Sequence, residues 1–248
     1  DTAGNTGVAS AALTVTIDTL APTVTVDSLI TSDNTPALSG TINDDAASVS
    51  VTVDGQTVTA TNNGTTWSVA DGDLTTLTDL PAGYDVSVTA TDVAGNIGTD
   101  ATDNELVVDT DDPIAPTALD LDAGSDTGIT TDDITSATTP TISGTAEAGS
   151  TVKLTSDIAG IVVATTTADG GGAWSVATSE LDDGAHNLTA TATDTAGNTG
   201  VASAALTVTI DTGDPIAPTA LDLDAGSDTG ITTDDITSAT TPTISGTA

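Results

Sequence analysis

Asp1–Thr19 returns letter for letter as Asp194–Thr212, and Pro113–Ala146 returns as Pro215–Ala248, the second pair at a period of 102 residues, the distance from Pro113 to Pro215. Whatever one copy folds into, its twin must fold into as well, so the chain is expected to be a stretch of a tandem array of domain-sized units. Copies in register add little to a catalyst but add length to a scaffold. A structural role is therefore expected, and an enzymatic one is not.

Val, Leu or Ala alternates with Thr or Ser in short runs: TVTV at 23–26, SVSVTV at 48–53, TVTAT at 57–61, DVSVTAT at 85–91, NLTATAT at 187–193 and ALTVTI at 205–210. Successive side chains of a strand point to opposite faces, so this alternation marks strands with one buried face. Asp54-Gly55 and Asn63-Gly64 follow such runs, and both dipeptides favour the positive φ of tight hairpins. No window carries a helical period. The pattern predicts an all-β chain of antiparallel β-sandwiches, about seven strands each.

Pro22, Pro116 and Pro218 align as linker prolines. They divide the chain into complete units at 20–109 and 110–212, preceded by the last piece of one unit (1–19) and followed by the opening strands of another (213–248). Neither flank can bury a sheet face by itself. The second unit is longer because its first connection reads DAGSDTGITTDDITSATTP (122–140), where the first unit has DSLITSDNTP (27–36).

The chain carries 37 acidic residues against a single lysine, a formal charge of -36, and only Glu105, Glu147 and Glu180 of the acids are glutamate. Nucleic acids and anionic membranes are polyanions, so neither is an expected partner; cations are. Charged residues are nonetheless only 15% of the chain, and the apolar ones are periodic, which argues for folding over disorder. There is no cysteine to staple the units and no phenylalanine or methionine, so the cores are lean assemblies of Val, Leu, Ile and Ala. No leader pattern and no apolar run of about 18 residues occurs, so no membrane insertion of this segment is expected. With no Cys or Arg and one His, nucleophile–base pairs and oxyanion clamps have few possible members.

The motif Asp-x-Ala-Gly-Asn stands at 1–5, 92–96 and 194–198, and linker aspartates at Asp18, Asp109 and Asp211. Alternating strand directions bring the last loop, the second loop and the incoming linker to one pole. That gathers Asp18, Asp44, Asp45, Asp92 and Asn96 in the first unit, and Asp109, Asp111, Asp112, Glu147, Asp194 and Asn198 in the second. Carboxylates and amide oxygens without nitrogen or sulfur suit Ca2+, which takes six to eight oxygens in tolerant geometry. Crowded carboxylates with no Lys or Arg among them repel, and a dication removes that cost. The same pentapeptide is also an ordinary turn, with Asp and Asn bonding backbone amides and Gly at positive φ, although a turn does not demand acid in the linker and the second loop as well. Both readings stay open. In the long connection, Asp122, Asp126, Asp132 and Asp133 are expected at the opposite pole, facing Asp211 and Asp214, as either a solvated loop or a second calcium site. Trp67 and Trp174 match each other and are expected in the cores, while Tyr84 resembles the corner tyrosine of sandwich domains and His186 fills its place.

TTPTISGTAEAGSTV at 138–152, DGGGAWSV at 169–176, LDDGAHNLTATATDTAGN at 181–198 and LTVTIDT at 206–212 resemble the bacterial Ig-like repeats of giant surface adhesins. These include biofilm-associated proteins and the extender regions of RTX adhesins exported by type I secretion. The resemblance implies tandem Ig-like sandwiches arranged end to end as a rod, rigidified by Ca2+ at the junctions. Such a rod projects an adhesive tip for adhesion and biofilm formation from a secreted, outer-membrane-anchored protein on the bacterial surface. It carries a calcium role onto Asp92, Asn96, Asp194, Asn198, Asp18, Asp109 and Asp211. Its partners would be calcium ions and neighbouring repeats, with homotypic contacts between adhesins left open. The first unit departs from the pattern: it lacks SDTGITTDD and has Asn-Asp-Asp at 43–45 where the second has Ala-Glu-Ala at 146–148. Two other readings are a ligand- or glycan-binding Ig-like module, marked by exposed aromatics, and an acidic halophile-type surface-layer protein without specific metal sites.

Overall fold

A computed structural model describes residues 2–100, 102–158, 160–231 and 233–247. Asp1, which opens the first copy of the acidic motif, lies outside the described residues. All regular elements among those described are strands, and they enclose two separate hydrophobic cores, one drawn from Val24 to Val108 and the other from Leu121 to Ile210.

The first unit comprises β1 (Leu29–Thr31), β2 (Leu38–Thr41), β3 (Ser48–Val53), β4 (Gln56–Asn62), β5 (Thr66–Val69), β6 (Leu80–Tyr84), β7 (Val86–Thr91), β8 (Ile97–Thr99) and β9 (Leu106–Val108). Alternation sets the burial: Val49, Val51 and Val53 of β3 face the core with Val86, Val88 and Ala90 of β7. Asp54 and Gly55 take φ +48° and +73° and turn β3 into β4. β4 pairs Gln56–Ala60 with β3 and Thr61–Asn62 with β5, which joins β2-β5-β4-β3-β7-β8 into one six-stranded sheet beside the three-stranded β1-β9-β6.

The second unit repeats the plan with β10 (Thr117–Leu121), β11 (Ile134–Thr135), β12 (Thr141–Thr145), β13 (Thr151–Ser156), β14 (Val162–Thr167), β15 (Ala173–Ala177), β16 (Gly184–Thr193) and β17 (Leu206–Ile210). A three-stranded sheet, β10-β12-β15, packs on a five-stranded one, β11-β17-β16-β13-β14. Trp67 and Trp174 fill the cores, each over a glycine of the facing strand: a Cβ on Gly40 would stand 2.6 Å from Trp67, and one on Gly144 2.6 Å from Trp174. The Tyr84 hydroxyl donates to Thr78 O at 2.8 Å and accepts from Thr78 N at 3.1 Å, pinning the corner before β7. His186 does the same work, with Nε2 2.9 Å from Asp182 O and Nδ1 3.1 Å from Ser156 Oγ.

One pairing in each unit departs from the antiparallel expectation: β1 runs parallel to β9, and β11 parallel to β17. The opening segment begins beside β2, where Thr25 N bonds Thr41 O and Asp27 N bonds Ser39 O, and then crosses to the three-stranded sheet β1-β9-β6, where Leu29 N bonds Glu105 O. First and last strands running the same way put the incoming and outgoing linkers at opposite poles.

The flanks keep local order only. β18 (Thr219–Leu223) and β19 (Ile244–Thr247) pair in the register of β10 and β12, but Ile216, Leu221 and Ile244 remain exposed, as do Val8, Leu13 and Ile17 at the other end.

Candidate functional site

The acidic motif closes the hairpin that follows β7 in the first unit and β16 in the second. Asp92 Oδ1 accepts from Asn96 N at 2.8 Å, and its Oδ2 accepts from Asn96 Nδ2 at 2.7 Å. These bonds, the Asn96 side chain foremost, hold the Asp92 carboxyl below the usual carboxylate range against the opposing effect of burial. The second unit repeats the geometry: Asp194 Oδ1 accepts from Gly197 N (2.7 Å) and Asn198 N (2.9 Å), and Oδ2 from Asn198 Nδ2 (2.8 Å).

The asparagine amide reaches beyond its own turn. Asn96 Nδ2 also donates to Asp18 O at 3.2 Å, and Asn198 Nδ2 to Asp109 O at 2.8 Å, so each last loop grips the linker that leads into its unit. The grip has a second point. Gly98 and Gly200 lie so close to the linker that a Cβ on either would stand 1.8 Å from Pro22 O or 2.0 Å from Pro113 O. Pro22 therefore corresponds to Pro113, and the alignment of Pro22 with Pro116 is corrected. Each of the two sits four residues after its linker aspartate, as Pro215 does after Asp211. That Asp-x-x-x-Pro spacing, together with the glycine two places beyond each Asp-x-Ala-Gly-Asn, is the signal from which the contact could have been read.

Asp109 is the seam between the two units. Its N–H donates to Thr31 O of the first unit at 3.0 Å, while its carbonyl accepts from Asn198 of the second. Beside it Ser32 N donates to Ala196 O at 3.0 Å, a direct bond from the first unit to the motif loop of the second.

Around Asp18, the first unit forms an open cleft of about 460 Å³ lined by Asp18, Leu20, Pro22, Asn43, Asp44 and Asp45 among others. Asn43 Oδ1 accepts from Thr23 N at 2.7 Å and Asp44 Oδ1 from Ala46 N at 2.9 Å, so both help shape their loop, while Asp45 is exposed. In the second unit Asp109 Oδ1 caps Asp111 N at 3.1 Å, Asp112 is exposed, and Glu147 contributes its carbonyl to Ser150. At the far end Asp211 N donates to Thr135 O and its Oδ1 accepts from Gly213 N.

The long connection behaves differently. Asp126 is 5% exposed and its Oδ1 has no partner, and Asp228 repeats both properties in the flank. Asp132 Oδ1 accepts from Ile134 N at 3.2 Å. Burial, followed by the charges of Asp120, Asp126 and Asp132, pushes the Asp133 carboxyl up.

Among the described residues no three Asp, Glu or His side chains converge as a ready-made metal cage. What they offer is an all-oxygen donor set in an open cleft, together with asparagine Oδ1 atoms left over when Nδ2 makes both donor bonds. That chemistry fits a hard cation and not a soft one.

A family model matches residues 113–212. The family is that of the bacterial Ig-like domain, to which this segment is similar. No curated protein matches the chain. Among solved structures, one described under host cell-surface retention of a 1.5-MDa bacterial ice-binding adhesin shares 27% identity over 84% of this chain and 69% of its own, with a TM-score of 0.38. Fibronectin(III)-like modules of Clostridium thermocellum CbhA share 14% identity over 75% of this chain and 93% of theirs, with a TM-score of 0.42. A biofilm-associated protein, represented by its BSP domain, shares 23% identity over 78% of this chain and 30% of its own, with a TM-score of 0.29. The likeness to bacterial Ig-like domains rests on the family match, and these loose whole-chain superpositions add nothing to it.

Proposed function

We propose that this chain is a non-catalytic extender segment of a large bacterial surface adhesin, in which Ca2+ stiffens the junctions between Ig-like units. The observation that carries the reading is the Asp109 seam: one linker residue is hydrogen-bonded through its N–H to one unit and through its carbonyl to the next. A linker held at both faces transmits orientation from unit to unit, which is what a projecting rod requires. The three aromatic side chains, Trp67, Trp174 and Tyr84, are buried, so the stacking platform of a glycan-binding module is missing from the described surface.

Calcium enters through the acidic pole. Asp18, Asp44, Asp45, Asp92 and Asn96 would hold it in the first unit, and Asp109, Asp111, Asp112, Glu147, Asp194 and Asn198 in the second, with Asp211 offering the same chemistry to a following unit. Asp126 and Asp132 would serve a further ion in the long connection. An ion that binds the docked junction and not the bent one stabilises it by RT ln(1 + [L]/Kd), about 2.7 kcal/mol at 100 times Kd. Extracellular modules bind calcium with Kd of roughly 10⁻⁴–10⁻³ M, so external calcium suffices. Small-angle scattering of the chain with calcium and with EDTA tests this. The maximum dimension is expected to shrink on chelation, and an unchanged dimension refutes calcium stiffening.

A further inference from the structure

We propose that Asp79 and Asp183 are positioning residues for the outgoing linkers: each carboxylate clamps the threonine that follows the linker aspartate, and so fixes, without any metal, the direction in which the chain leaves its unit. Thr110 donates to Asp79 Oδ2 through both its N–H, at 3.0 Å, and its hydroxyl, at 3.4 Å. Thr212 repeats the contact in the second unit, with its N–H 3.1 Å from Asp183 Oδ1 and its hydroxyl 2.9 Å from each carboxylate oxygen. The two clamps occupy the same place in the fold. Leu80 stands opposite Val108 and Gly184 opposite Ile210 in the closing ladders, so Asp79 and Asp183 each lie one place beyond an equivalent pair. Tyr84 follows Leu80 by four places and His186 follows Gly184 by two, so a fixed offset along the chain hides the match.

Each clamp stands on a buried corner. The Tyr84 hydroxyl holds Thr78 by its N–H and its carbonyl, and His186 Nε2 holds Asp182 by its carbonyl, so the carboxylate on the next residue starts from a fixed backbone. Hydrogen bonds to an ionised carboxylate are roughly twice as strong as those between neutral groups. The residue before each threonine is tied to the same unit, since Asp109 N donates to Thr31 O and Asp211 N to Thr135 O. Residues 109–110 and 211–212 are thereby carried as extensions of the unit they leave. On the far side Asp109 O receives Asn198 Nδ2 and Pro113 lies against Gly200, which leaves only Asp111 and Asp112 between the two holds. Asp111 N is itself capped by Asp109 Oδ1. So short a span, bonded to a folded unit at both ends, has little room to bend. Loss of the clamp is therefore expected to change the orientation of the units and not the stability of either.

The test uses the whole chain in EDTA, with Asp79→Ala, Asp79→Asn and Asp183→Ala beside the parent. Asp79→Ala should raise the hydrogen-exchange rate of the Thr110 amide by about tenfold or more. It should also make the two complete units align independently in residual dipolar couplings, while both melt as in the parent. Asp79→Asn keeps one acceptor oxygen, which is all that Thr110 uses, and should restore both readouts. Asp183→Ala should release the Thr212 amide and leave the couplings between the two complete units unchanged. Unaltered Thr110 exchange and couplings in Asp79→Ala overturn the proposal. So does a lowered first-unit melting temperature with couplings unchanged, which would make Asp79 a stability residue. A failure of Asp79→Asn to restore the readouts overturns it too, because the effect would then belong to the charge. A parent whose scattering dimension ignores EDTA would sink calcium stiffening and leave the clamp standing.

Discussion

Gly200→Ala isolates the linker grip from every charge in the molecule. The added Cβ would stand 2.0 Å from Pro113 O, where ordinary contact is about 3.4 Å, and the obstructing atom is backbone and cannot swing aside. Either the motif loop or the linker must withdraw by more than an ångström, and such overpacking costs about 1–3 kcal/mol. Gly200 does not sit at positive φ, so alanine meets no backbone strain and even gains about 0.4–1 kcal/mol from a less flexible unfolded chain. A net loss of about 1.3 kcal/mol would lower the melting temperature of a unit of this size by roughly 5–10 °C. Gly170→Ala supplies the control, because that glycine also lacks positive φ and its Cβ would meet nothing within 4 Å. Scanning calorimetry in EDTA reads both variants against the parent. The expected result is a depressed second-unit transition in Gly200→Ala and a neutral or slightly raised one in Gly170→Ala. Superimposable transitions for the two variants would refute a close-packed linker.

Two further outcomes follow from local asymmetries. Trp67 Nε1 donates to Thr25 O at 2.9 Å, whereas Trp174 Nε1 is buried without a partner, so Trp67→Phe should cost about 1 kcal/mol more than Trp174→Phe in denaturant titrations of the two units. The Asp157 carboxyl is held below its usual range, chiefly by the Asn187 side chain and then by the Asn187 N–H, so its stabilisation is present above the ordinary carboxylate value and is lost as pH falls through the lowered one. Asp157→Ala should flatten that part of the acid limb of the second unit's stability curve and leave the first unit's unchanged.

Strand content was legible because Val/Thr alternation is both a local propensity and a burial pattern, and the two agree at β3, β7, β13 and β16. The Asp54-Gly55 turn and the Tyr84 corner are likewise local devices whose residues carry their own geometry. What escaped sequence reasoning depends on the meeting of distant segments. The parallel pairing of β1 with β9 requires knowing that the opening segment changes sheets after Asp27, and nothing in the letters around it marks that crossing. Aligning linkers by Ala-Pro matched Pro22 to Pro116, while the contact that matters is fixed by distance from the tethered aspartate carbonyl, which selects Pro113. The motif's pattern suits its asparagine to a turn or to an ion; its bond to the linker backbone is a third use. Glu105 carries no signal of its own in the sequence, because its hydrogen-bond partner, Val86, lies 19 residues away along the chain.

The turn and calcium readings of the acidic pole separate at the linker aspartates. The backbone bonds of Asp109 could be made by any residue other than proline, so they do not account for an aspartate there. Its side chain caps the N–H two residues on, as those of Asp18 and Asp211 do: Leu20 N to Asp18 Oδ1 at 3.0 Å, Asp111 N to Asp109 Oδ1 at 3.1 Å, and Gly213 N to Asp211 Oδ1 at 3.0 Å. Asparagine supplies the same acceptor oxygen, so this turn explains a preference for Asp or Asn and not the charge. The cap also engages only one carboxylate oxygen, leaving Oδ2 for a cation. Asp109→Asn should therefore leave the melting temperature in EDTA nearly unchanged while lowering the calcium-induced rise in melting temperature and the calcium-dependent extension. If the variant extends with calcium as the parent does, the carboxylate is a turn residue and the ion is held elsewhere. If it instead melts early in EDTA, the negative charge contributes to the fold without any metal.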